Sequence, residues 1–501
     1  MASAKIITRR VAILGGAAGA GWLVGRVDTL TLSPDFANVF RNVEDWTKTT
    51  QRTLLAGDRL PSTRRAATDY AVSRGLMEEV FGQLTDEGFF ERAVGRGTFV
   101  ASEVARLTVR TGRTKRQPQS LRTPSRRGSF IAANTACREP EVPLPFNAGI
   151  ADTSAFPWKL WCRLQVRAAR ELGPKALSFA DPRGLPKIRT AIARYLAQFR
   201  GIRCTPQQVI IFNSAQQALN ALSVLLLNPG DAVWIEDPCY LGARVAFGLA
   251  GTVAVPVTVD EDGLVVPTGI RRAPRARLAY VTPSHQYPTG VTLSLERRIE
   301  LLQWAARKGS WIVEDDYDGE FRYAGQPLAS LYSLDSRARV IYLGTLNKSM
   351  FVSLRLAYAV VPEELVEPLA NVRTHMDGFT PELTQMTMSF FMDEGYFSSH
   401  LRGMRAVYGA KRKMLIEGLA PMAAQGWTWS ENPAGMHLLV MHNRGEHVRA
   451  IAKASLLDLA LLSKYRVGQA QDDGLFLRFG ALSSESLQAG VDELIAVANR
   501  P

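Results

Sequence analysis

The stretch YLGTLNKSMFVSLRLAY, residues 342–358, decides the fold. It begins with a β-rich run, then has a lone lysine, Lys348, and seven residues later a lone arginine, Arg355, before a second apolar run. Charged side chains are rarely buried without a partner. Either both side chains reach the surface, or a molecule with complementary groups binds between them.

Segments that predict strands and helices alternate on both sides of this stretch. From about residue 146, apolar runs such as QVIIF, AVWIED, LAYVT and SWIVEDD are separated by helical patterns. Strands that are apolar throughout predict a mostly parallel central sheet with helices on both faces. From about residue 385, long helical patterns and two further apolar runs predict a smaller α+β C-terminal lobe. In such sheets, ligands bind beyond the carboxyl ends of the strands.

Polar residues follow several of these predicted strands. Asp315 and Tyr317 come after SWIV and lie two apart, so both side chains face the same side. Thr345 closes the run IYLGT, three residues before Lys348, and Tyr240 comes after AVWIEDPC with a flat ring. The turn NSAQQAL after VIIF has small and amide residues that enter a predicted helix, which suits an anion.

One molecule has a partner for each of these groups. It needs an aldehyde for the lysine, a basic ring nitrogen for the aspartate, a phenolate oxygen for the tyrosine, and a phosphate for the arginine, the threonine and the helix N-terminus. Pyridoxal 5′-phosphate carries all four groups. A single such residue is more often structural, but the whole set on successive strands predicts a site for this cofactor.

The N-terminal third predicts separate units. Residues 41–101 contain helical patterns followed by two short strands around a Gly-Arg-Gly turn, which predicts a winged helix-turn-helix domain. Residues 102–145 are arginine-rich with scattered prolines and serines, which predicts a basic linker. Residues 1–40 are atypical: Arg9 and Arg10 precede a short apolar run that resembles a twin-arginine export signal. We favour the alternatives that the start is mis-assigned or fused, or that it is an apolar N-terminal segment packed on the body of the protein.

Several motifs carry a resemblance to a known family. Residues 146–501 resemble the fold-type I aminotransferases, and the chain from about residue 41 resembles the MocR/GabR-type branch of the GntR transcriptional regulators. The motifs occur in the family's order: GDRLPSTR, VSRGLMEEVFGQLTDEGFFERAVGRGTFV, DPRGLPKIRTAIARYLAQFRGIRC, NPGDAVWIEDPCY, TPSHQYPTG, IVEDDYDGEFRY and the stretch 342–358.

The resemblance implies roles for individual residues. Lys348 would form the Schiff base with pyridoxal phosphate, and Asp315 would bind its pyridine nitrogen. The other cofactor-binding residues implied are Tyr317, Tyr240, Ser214, Ala215, Gln216, Thr345, Arg355 and Tyr287. The DNA-binding residues implied are Thr63, Arg64, Ser73, Arg74 and Arg96.

The chain departs from the aminotransferase pattern at several of these positions. Tyr287 replaces the asparagine of HNPTG, and Ser214 replaces a glycine of the phosphate turn. A tyrosine that aminotransferases donate to the partner subunit's phosphate is here Phe179. The arginine that binds the substrate carboxylate would fall at Phe476, while Arg478 lies two residues on, on the same face of a strand, and is the effector-binding candidate.

The DNA-binding helix departs from its family as well. Leu76 replaces a favoured threonine, and Glu78 and Glu79 follow it. The net charge of +13 is compatible with a nucleic-acid partner. The four cysteines form no CxxC pair and the histidines form no HExxH, so neither a disulfide framework nor a metal site is predicted.

Three functions follow as alternatives, with an exported oxidoreductase as a remote fourth that nothing after residue 60 supports. The first is a cytoplasmic transcriptional regulator that binds a DNA operator, senses pyridoxal phosphate or an amino compound, and forms a head-to-tail homodimer, with no membrane partner. The second is an active aminotransferase, converting an amino acid to a 2-oxo acid, with a vestigial N-terminal domain. The third is an inert copy. The identity of the effector, the target genes and the sign of regulation stay open.

Overall fold

The computed structural model describes residues 11–12, 23–24, 56–102, 124–134, 144–325, 329–430, 432–468 and 470–499. The chain divides into two compact units, Met1–Thr123 and Pro124–Pro501. The twin-arginine-like residues and the start of the predicted winged domain, residues 41–55, lie outside the described residues.

In its described residues, the first unit has two short helices and two pairs of short antiparallel strands. Its elements are β1 (Val11–Ala12), β2 (Leu23–Val24), α1 (Thr63–Asp69), α2 (Arg74–Asp86), β3 (Phe90–Ala93) and β4 (Gly97–Val100). Ser62 caps α1 and Ser73 caps α2, each accepting a hydrogen bond from a backbone N–H of the first turn. Met77 and Phe81 of α2 pack on Phe90 of the β3–β4 ribbon. The described part of this unit therefore has two helices followed by a wing.

The second unit is built on an eight-stranded sheet. Its strands are β5 (Val209–Phe212), β6 (Ala232–Asp237), β7 (Val253–Asp260), β8 (Gly263–Leu264), β9 (Leu278–Val281), β10 (Trp311–Asp316), β11 (Val340–Thr345) and β12 (Ala357–Val360). They lie in the order β5-β12-β11-β10-β9-β6-β7-β8. The prediction of a mostly parallel sheet is confirmed, but β12 runs antiparallel to both of its neighbours and β8 antiparallel to β7.

Helices cover both faces of this sheet. Those from the linker to the end of the large sheet are α3 (Arg126–Ala132), α4 (Trp158–Leu172), α5 (Pro186–Phe199), α6 (Ala215–Leu226), α7 (Leu241–Leu249), α8 (Val266–Arg272), α9 (Leu295–Lys308), α10 (Leu331–Leu334) and α11 (Glu363–Met376). Strands β9, β10 and β11 are buried along their whole length. This burial on both faces explains why they are apolar throughout.

The smaller C-terminal lobe is confirmed. It has helices α12 (Glu382–Asp393), α13 (Tyr396–Ala423), α14 (Gly445–Ala454) and α15 (Ser484–Ala498), with strands β13 (Thr428–Trp429), β14 (His437–His442), β15 (Ala460–Leu461) and β16 (Asp473–Arg478). The four strands form an antiparallel sheet in the order β13-β14-β16-β15. Among the described residues, no helix is both long and apolar enough to span a membrane.

The predicted linker contains an element that the sequence analysis missed. Helix α3 lies in its second half, and Ser125 caps it by accepting a hydrogen bond from Gly128 N. The ring of Phe130 lies so close to Gly248 of α7 that a Cβ built on the glycine would fall 2.7 Å from two ring carbons. This part of the linker is therefore packed on the second unit.

Candidate cofactor site

The Asp315 carboxylate is a buried group of the site. Strand β10 pairs in parallel with β11, and Asp315 lies opposite Leu343, close to the carboxyl end of both strands. The side chain is buried, and Tyr280 Oη donates a 2.7 Å hydrogen bond to its Oδ2. Its Oδ1 is buried with no hydrogen-bond partner in the described part of the chain.

Burial sets the protonation of this carboxyl. Loss of solvation raises the pKa of Asp315 to about 7, and the nearby carboxylates of Asp316 and Asp318 act in the same direction. The hydrogen bond from Tyr280 acts against them. A cationic N–H group at Oδ1 would satisfy the orphaned oxygen and favour the charged carboxylate. The protonated ring nitrogen of pyridoxal phosphate is such a group, so this residue fits the cofactor.

Lys348 lies just beyond β11. It is half-buried, and its Nζ donates a hydrogen bond to the backbone oxygen of Gly149. Its positive charge is one of the causes, after burial, of the strongly lowered pKa of His437 in β14. Lys348 is therefore close both to the large sheet and to the sheet of the smaller lobe.

Three strands bring the predicted phosphate-binding residues to one edge. Ala357 of β12 pairs with Phe212 of β5 on one side and with Thr345 of β11 on the other. Ser214 follows β5 by two residues, and Arg355 precedes β12 by two. Because these three strand ends are level, Ser214, Thr345 and Arg355 lie on the same edge of the sheet.

The individual side chains differ in how they are held there. Ser214 caps α6 and accepts a 3.1 Å hydrogen bond from Gln217 N, so its hydroxyl is engaged with its own helix. Thr345 is buried, and its Oγ1 accepts a hydrogen bond from Asn347 N. Arg355 is exposed and has a left-handed backbone, φ 53°. Gln216 Nε2 donates a hydrogen bond to Gly242 O, which links the start of α6 to α7. Ala215 is the first residue of α6.

Aromatic rings form one wall of the site. Tyr287 makes edge-to-face contacts with Tyr240 at 5.7 Å and with Tyr317 at 5.6 Å between ring centroids. Burial raises the pKa of the Tyr287 hydroxyl well above its ordinary value, so the side chain stays neutral. Tyr287 stands where the aminotransferase pattern has an asparagine, and its ring adds apolar surface to the wall of the site.

The smaller lobe contributes Arg478. Its guanidinium donates hydrogen bonds to Asn147 O at 2.7 Å, Tyr465 Oη at 2.9 Å and Tyr287 Oη at 3.3 Å. It also lies 5.0 Å above the ring of the fully buried Phe476. Arg478 therefore contacts the aromatic wall through Tyr287.

A cluster of buried polar groups that no sequence pattern predicted lies next to the wall. His285 Nδ1 lies 3.0 Å from Asp318 Oδ2 and 3.1 Å from Tyr317 Oη. His437 is nearby, with its ring 4.7 Å from that of His285, and the ligand atoms of His285, Asp318 and His437 lie within 4.8 Å of one another. Asp318 and His285 stand in the motifs EDDYD and TPSHQ, but their contact joins two loops and is not readable from local spacing.

The predicted DNA-binding residues lie in the first unit. Arg64 and Arg96 are exposed, Thr63 begins α1, and Ser73 is occupied as the cap of α2. Arg74 Nε lies 3.0 Å from Glu78 Oε1 on the exposed face of α2. Glu78, an acidic residue in the predicted DNA-binding helix, is thus paired with Arg74, a predicted DNA-binding residue.

Comparison with known proteins places the chain in a family. The family described as "Aminotransferase class I and II" matches residues 156–467. The probable rhizopine catabolism regulatory protein MocR of Rhizobium meliloti is 35% identical over 445 residues, covering 88% of this chain and 89% of the relative.

The chain belongs to the MocR-type branch of the GntR transcriptional regulators.

Enzymes share the second unit of this regulator. The 2-aminoadipate transaminase of Thermus thermophilus is 29% identical over 359 residues, covering 70% of this chain and 89% of the relative. The crystal structure of the aminotransferase LysN from the same organism, complexed with N-(5′-phosphopyridoxyl)-L-leucine, superposes with a TM-score of 0.68 at 27% identity, covering 75% of this chain and 97% of that chain. The fold-type I prediction is confirmed, and the cofactor is pyridoxal 5′-phosphate.

Proposed function

We propose that this MocR-type regulator binds an operator through its winged helix-turn-helix domain and senses an amine or amino acid at the cofactor site. The observation that carries the proposal is the buried Asp315 Oδ1, which lacks a partner among the described residues, near the end of the strand that pairs with the one leading to Lys348. The relative that matches over 88% of the chain is a regulatory protein, which supports a sensing role for this site.

Each residue of the site has a proposed role in holding the cofactor. Lys348 binds the cofactor covalently, and Asp315 accepts a hydrogen bond from its ring nitrogen. Tyr240 and Tyr287 pack against the ring, and Tyr317 lies at its phenolic oxygen. The residues proposed to hold the phosphate are Ser214, Ala215, Gln216, Thr345 and Arg355. When bound, pyridoxal phosphate supplies an aldehyde that captures primary amines, which gives the domain its selectivity for amino compounds.

Arg478 is proposed to hold the acidic end of the effector. Its planar fork of donors suits a carboxylate, and it already lies against Tyr287 of the aromatic wall. Arg478 sits on β16 in the smaller lobe, whereas Asp315 is on β10 and Lys348 directly after β11. An effector bound between them would therefore bridge the two parts of the second unit.

We propose that the protein forms a head-to-tail homodimer. Two exposed apolar side chains support this proposal. Phe179 is 97% exposed and Leu177 89% exposed, in the segment where aminotransferases present a tyrosine to the partner's phosphate. Phe179 makes an edge contact with Phe379 at 6.3 Å. Substituting Phe179 with aspartate should shift the protein toward monomer in light scattering, whereas the same change at exposed Val253 should not.

Active transamination is the second candidate, favoured by the transaminase relative and by an arginine in reach of the aromatic wall. The two candidates differ in turnover. A regulator should bind an amine and then stop or react slowly. Rapid repeated formation of 2-oxo acid from a common amino acid would make the protein an enzyme first.

The test combines covalent trapping with DNA binding. Borohydride reduction of the purified protein should fix the cofactor on Lys348, and the Lys348→Ala variant should trap none. The control variant Lys413→Ala, at an exposed position of α13, should trap the cofactor normally. Persistent trapping in Lys348→Ala would overturn the lysine assignment.

A gel-shift assay should then show binding to the DNA upstream of the protein's own gene. The affinity should fall by about 0.9 log unit per log unit of salt for each phosphate neutralised. A salt-independent complex, or none, would contradict the regulator proposal.

A further inference from the structure

The hydroxyl of Tyr317 has two neighbours that decide where its proton points. Its Oη lies 3.1 Å from His285 Nδ1. The same nitrogen lies 3.0 Å from Oδ2 and 3.3 Å from Oδ1 of Asp318, and Asp318 and His285 are buried. One imidazole nitrogen thus faces both a carboxylate, which only accepts hydrogen bonds, and a phenol, which can donate or accept.

The Asp318 carboxylate excludes one of the two possible directions of the hydrogen bond between His285 Nδ1 and the Tyr317 hydroxyl. If Nδ1 were the acceptor for Tyr317, its lone pair would face the carboxylate oxygens of Asp318 without an intervening proton. If Nδ1 carries the proton, it donates to Asp318, and Tyr317 Oη can only accept from it. The proton of the Tyr317 hydroxyl is then left for another partner.

The ring of His285 cannot turn away from this arrangement. Gly435 and Gly290 pack against it: a Cβ on Gly435 would lie 1.9 Å from Cε1 and one on Gly290 would lie 3.1 Å from Nε2. Both glycines have φ of +78°, a conformation that other residues rarely adopt. The two positions therefore require glycine on two counts and hold the imidazole in place.

We propose that His285 and Asp318 are positioning residues that keep the Tyr317 hydroxyl as a hydrogen-bond donor to the phenolic oxygen of the cofactor. This inference rests on the proposed cofactor site and goes beyond it, because neither residue contacts the cofactor in the assigned roles. It explains why a buried carboxylate and imidazole lie together behind a tyrosine that faces the site.

Tyr317, His285 and Asp318 form a proton-positioning trio, and their surroundings match this role better than a metal site. The cluster with His437 has the donor atoms for a metal ion, but His285 and Asp318 are already engaged with each other. Arg200 and Arg322 line the same small cavity as His285 and Asp318, and Lys348 and Arg478 act on His437. Arg200 is paired with Asp316, and the positive charges of Arg322, Lys348 and Arg478 disfavour a further cation.

The test uses the visible absorption band of the lysine-linked cofactor in the full-length holoprotein. A donor to the phenolic oxygen weakens that oxygen's hold on the proton of the linking nitrogen. Loss of the donor should therefore raise the pH midpoint of the band. A hydrogen bond to a charged oxygen moves such a midpoint by about one pH unit.

Leucine in the Asp318→Leu variant preserves the side-chain shape but cannot accept a hydrogen bond. The variant should raise the pH midpoint of the visible band by about one pH unit, because Tyr317 then donates its proton to His285. Tyr317→Phe should raise it by the same amount. The double variant should show no more than either single change. An unmoved midpoint in Asp318→Leu, or additive shifts, would overturn the inference.

A second measurement needs no destabilising variant. Nitrogen-15 NMR of histidine-labelled holoprotein distinguishes the two neutral tautomers, and the His285→Gln variant assigns the resonance. We expect the Nδ1–H tautomer; the Nε2–H tautomer would overturn the inference. If the wild-type protein shows no visible band at all, the cofactor site itself is wrong, and that outcome is distinct from a band that Asp318→Leu leaves unmoved.

Discussion

Replacing Asp315 with asparagine should have opposite effects on the cofactor-free and cofactor-bound protein. Burial raises the pKa of this carboxyl from 3.8 to about 7. The unfolded chain loses the same proton near pH 4. Between those values the folded, cofactor-free protein holds one more proton than the unfolded chain, so its stability falls as the pH rises from about 4 to about 7.

The size of the effect follows from the two pKa values. Their difference, taken at 1.36 kcal/mol per pH unit, makes ionised Asp315 a cost of up to about 4 kcal/mol at pH 8 in the cofactor-free protein. The asparagine side chain of the variant carries no charge and avoids that cost. With the cofactor bound, the variant loses a charge-assisted hydrogen bond worth about 1.5–3 kcal/mol, so its affinity for pyridoxal phosphate should fall by about 10- to 100-fold.

The assay is urea unfolding from pH 5 to pH 8, with the cofactor removed, followed by cofactor titration. The wild type should be destabilised more steeply than Asp315→Asn as the pH rises. Some slope should persist in the variant, since burial also raises the pKa values of Glu236, Glu314 and Glu320 to about 7. Asp492→Asn, an exposed control, should change neither stability nor affinity. A variant that is no more stable than wild type at pH 8 would refute the reasoning.

Three further changes test other parts of the molecule. Glu78→Gln should raise DNA affinity by about two- to fivefold at low salt, since the exposed 3.0 Å pair with Arg74 is broken and the arginine is free for phosphate; an unchanged gel-shift midpoint would argue against a role for Arg74. Gly248→Ala should displace Phe130, because its Cβ would lie 2.7 Å from the ring, and should speed tryptic cleavage in the linker while the melting temperature of the second unit stays constant. Arg478→Gln should weaken binding of amino acids by about tenfold or more but not of simple amines in absorption titrations, because only amino acids carry the carboxylate that the guanidinium would bind; equal weakening of both would contradict its assignment to the acidic end.

The sequence predicted the large sheet, and candidate site residues at the ends of its strands, because both have local signatures. A strand buried on both faces must be apolar along its length, so runs such as LAYVT and SWIVEDD are recognisable in the sequence. Polar residues at the ends of such strands converge because parallel strands end at a common edge. That rule predicts, without coordinates, that Asp315 and Lys348 lie at the same edge of the sheet.

Contacts between distant segments had no such signature. The reversed direction of β12 depends on pairing with β5 and β11, and the left-handed backbone at Arg355 just before it is not encoded by a glycine. The docking of Phe130 depends on Gly248, a glycine far along the chain.

The proton-positioning trio, Tyr317, His285 and Asp318, shows most clearly what the sequence determined and what only the tertiary structure decided. Tyr317 and Asp318 are sequence neighbours, but His285 reaches them from the loop after β9, and Gly435, one of the two glycines that hold its ring, lies just before β14. The sequence alone determined which residue types stand at the strand ends, because burial constrains each strand locally. Only the tertiary structure decided which hydrogen-bonding groups face one another, because a proton's position depends on atoms that long-range folding brings within about 3 Å.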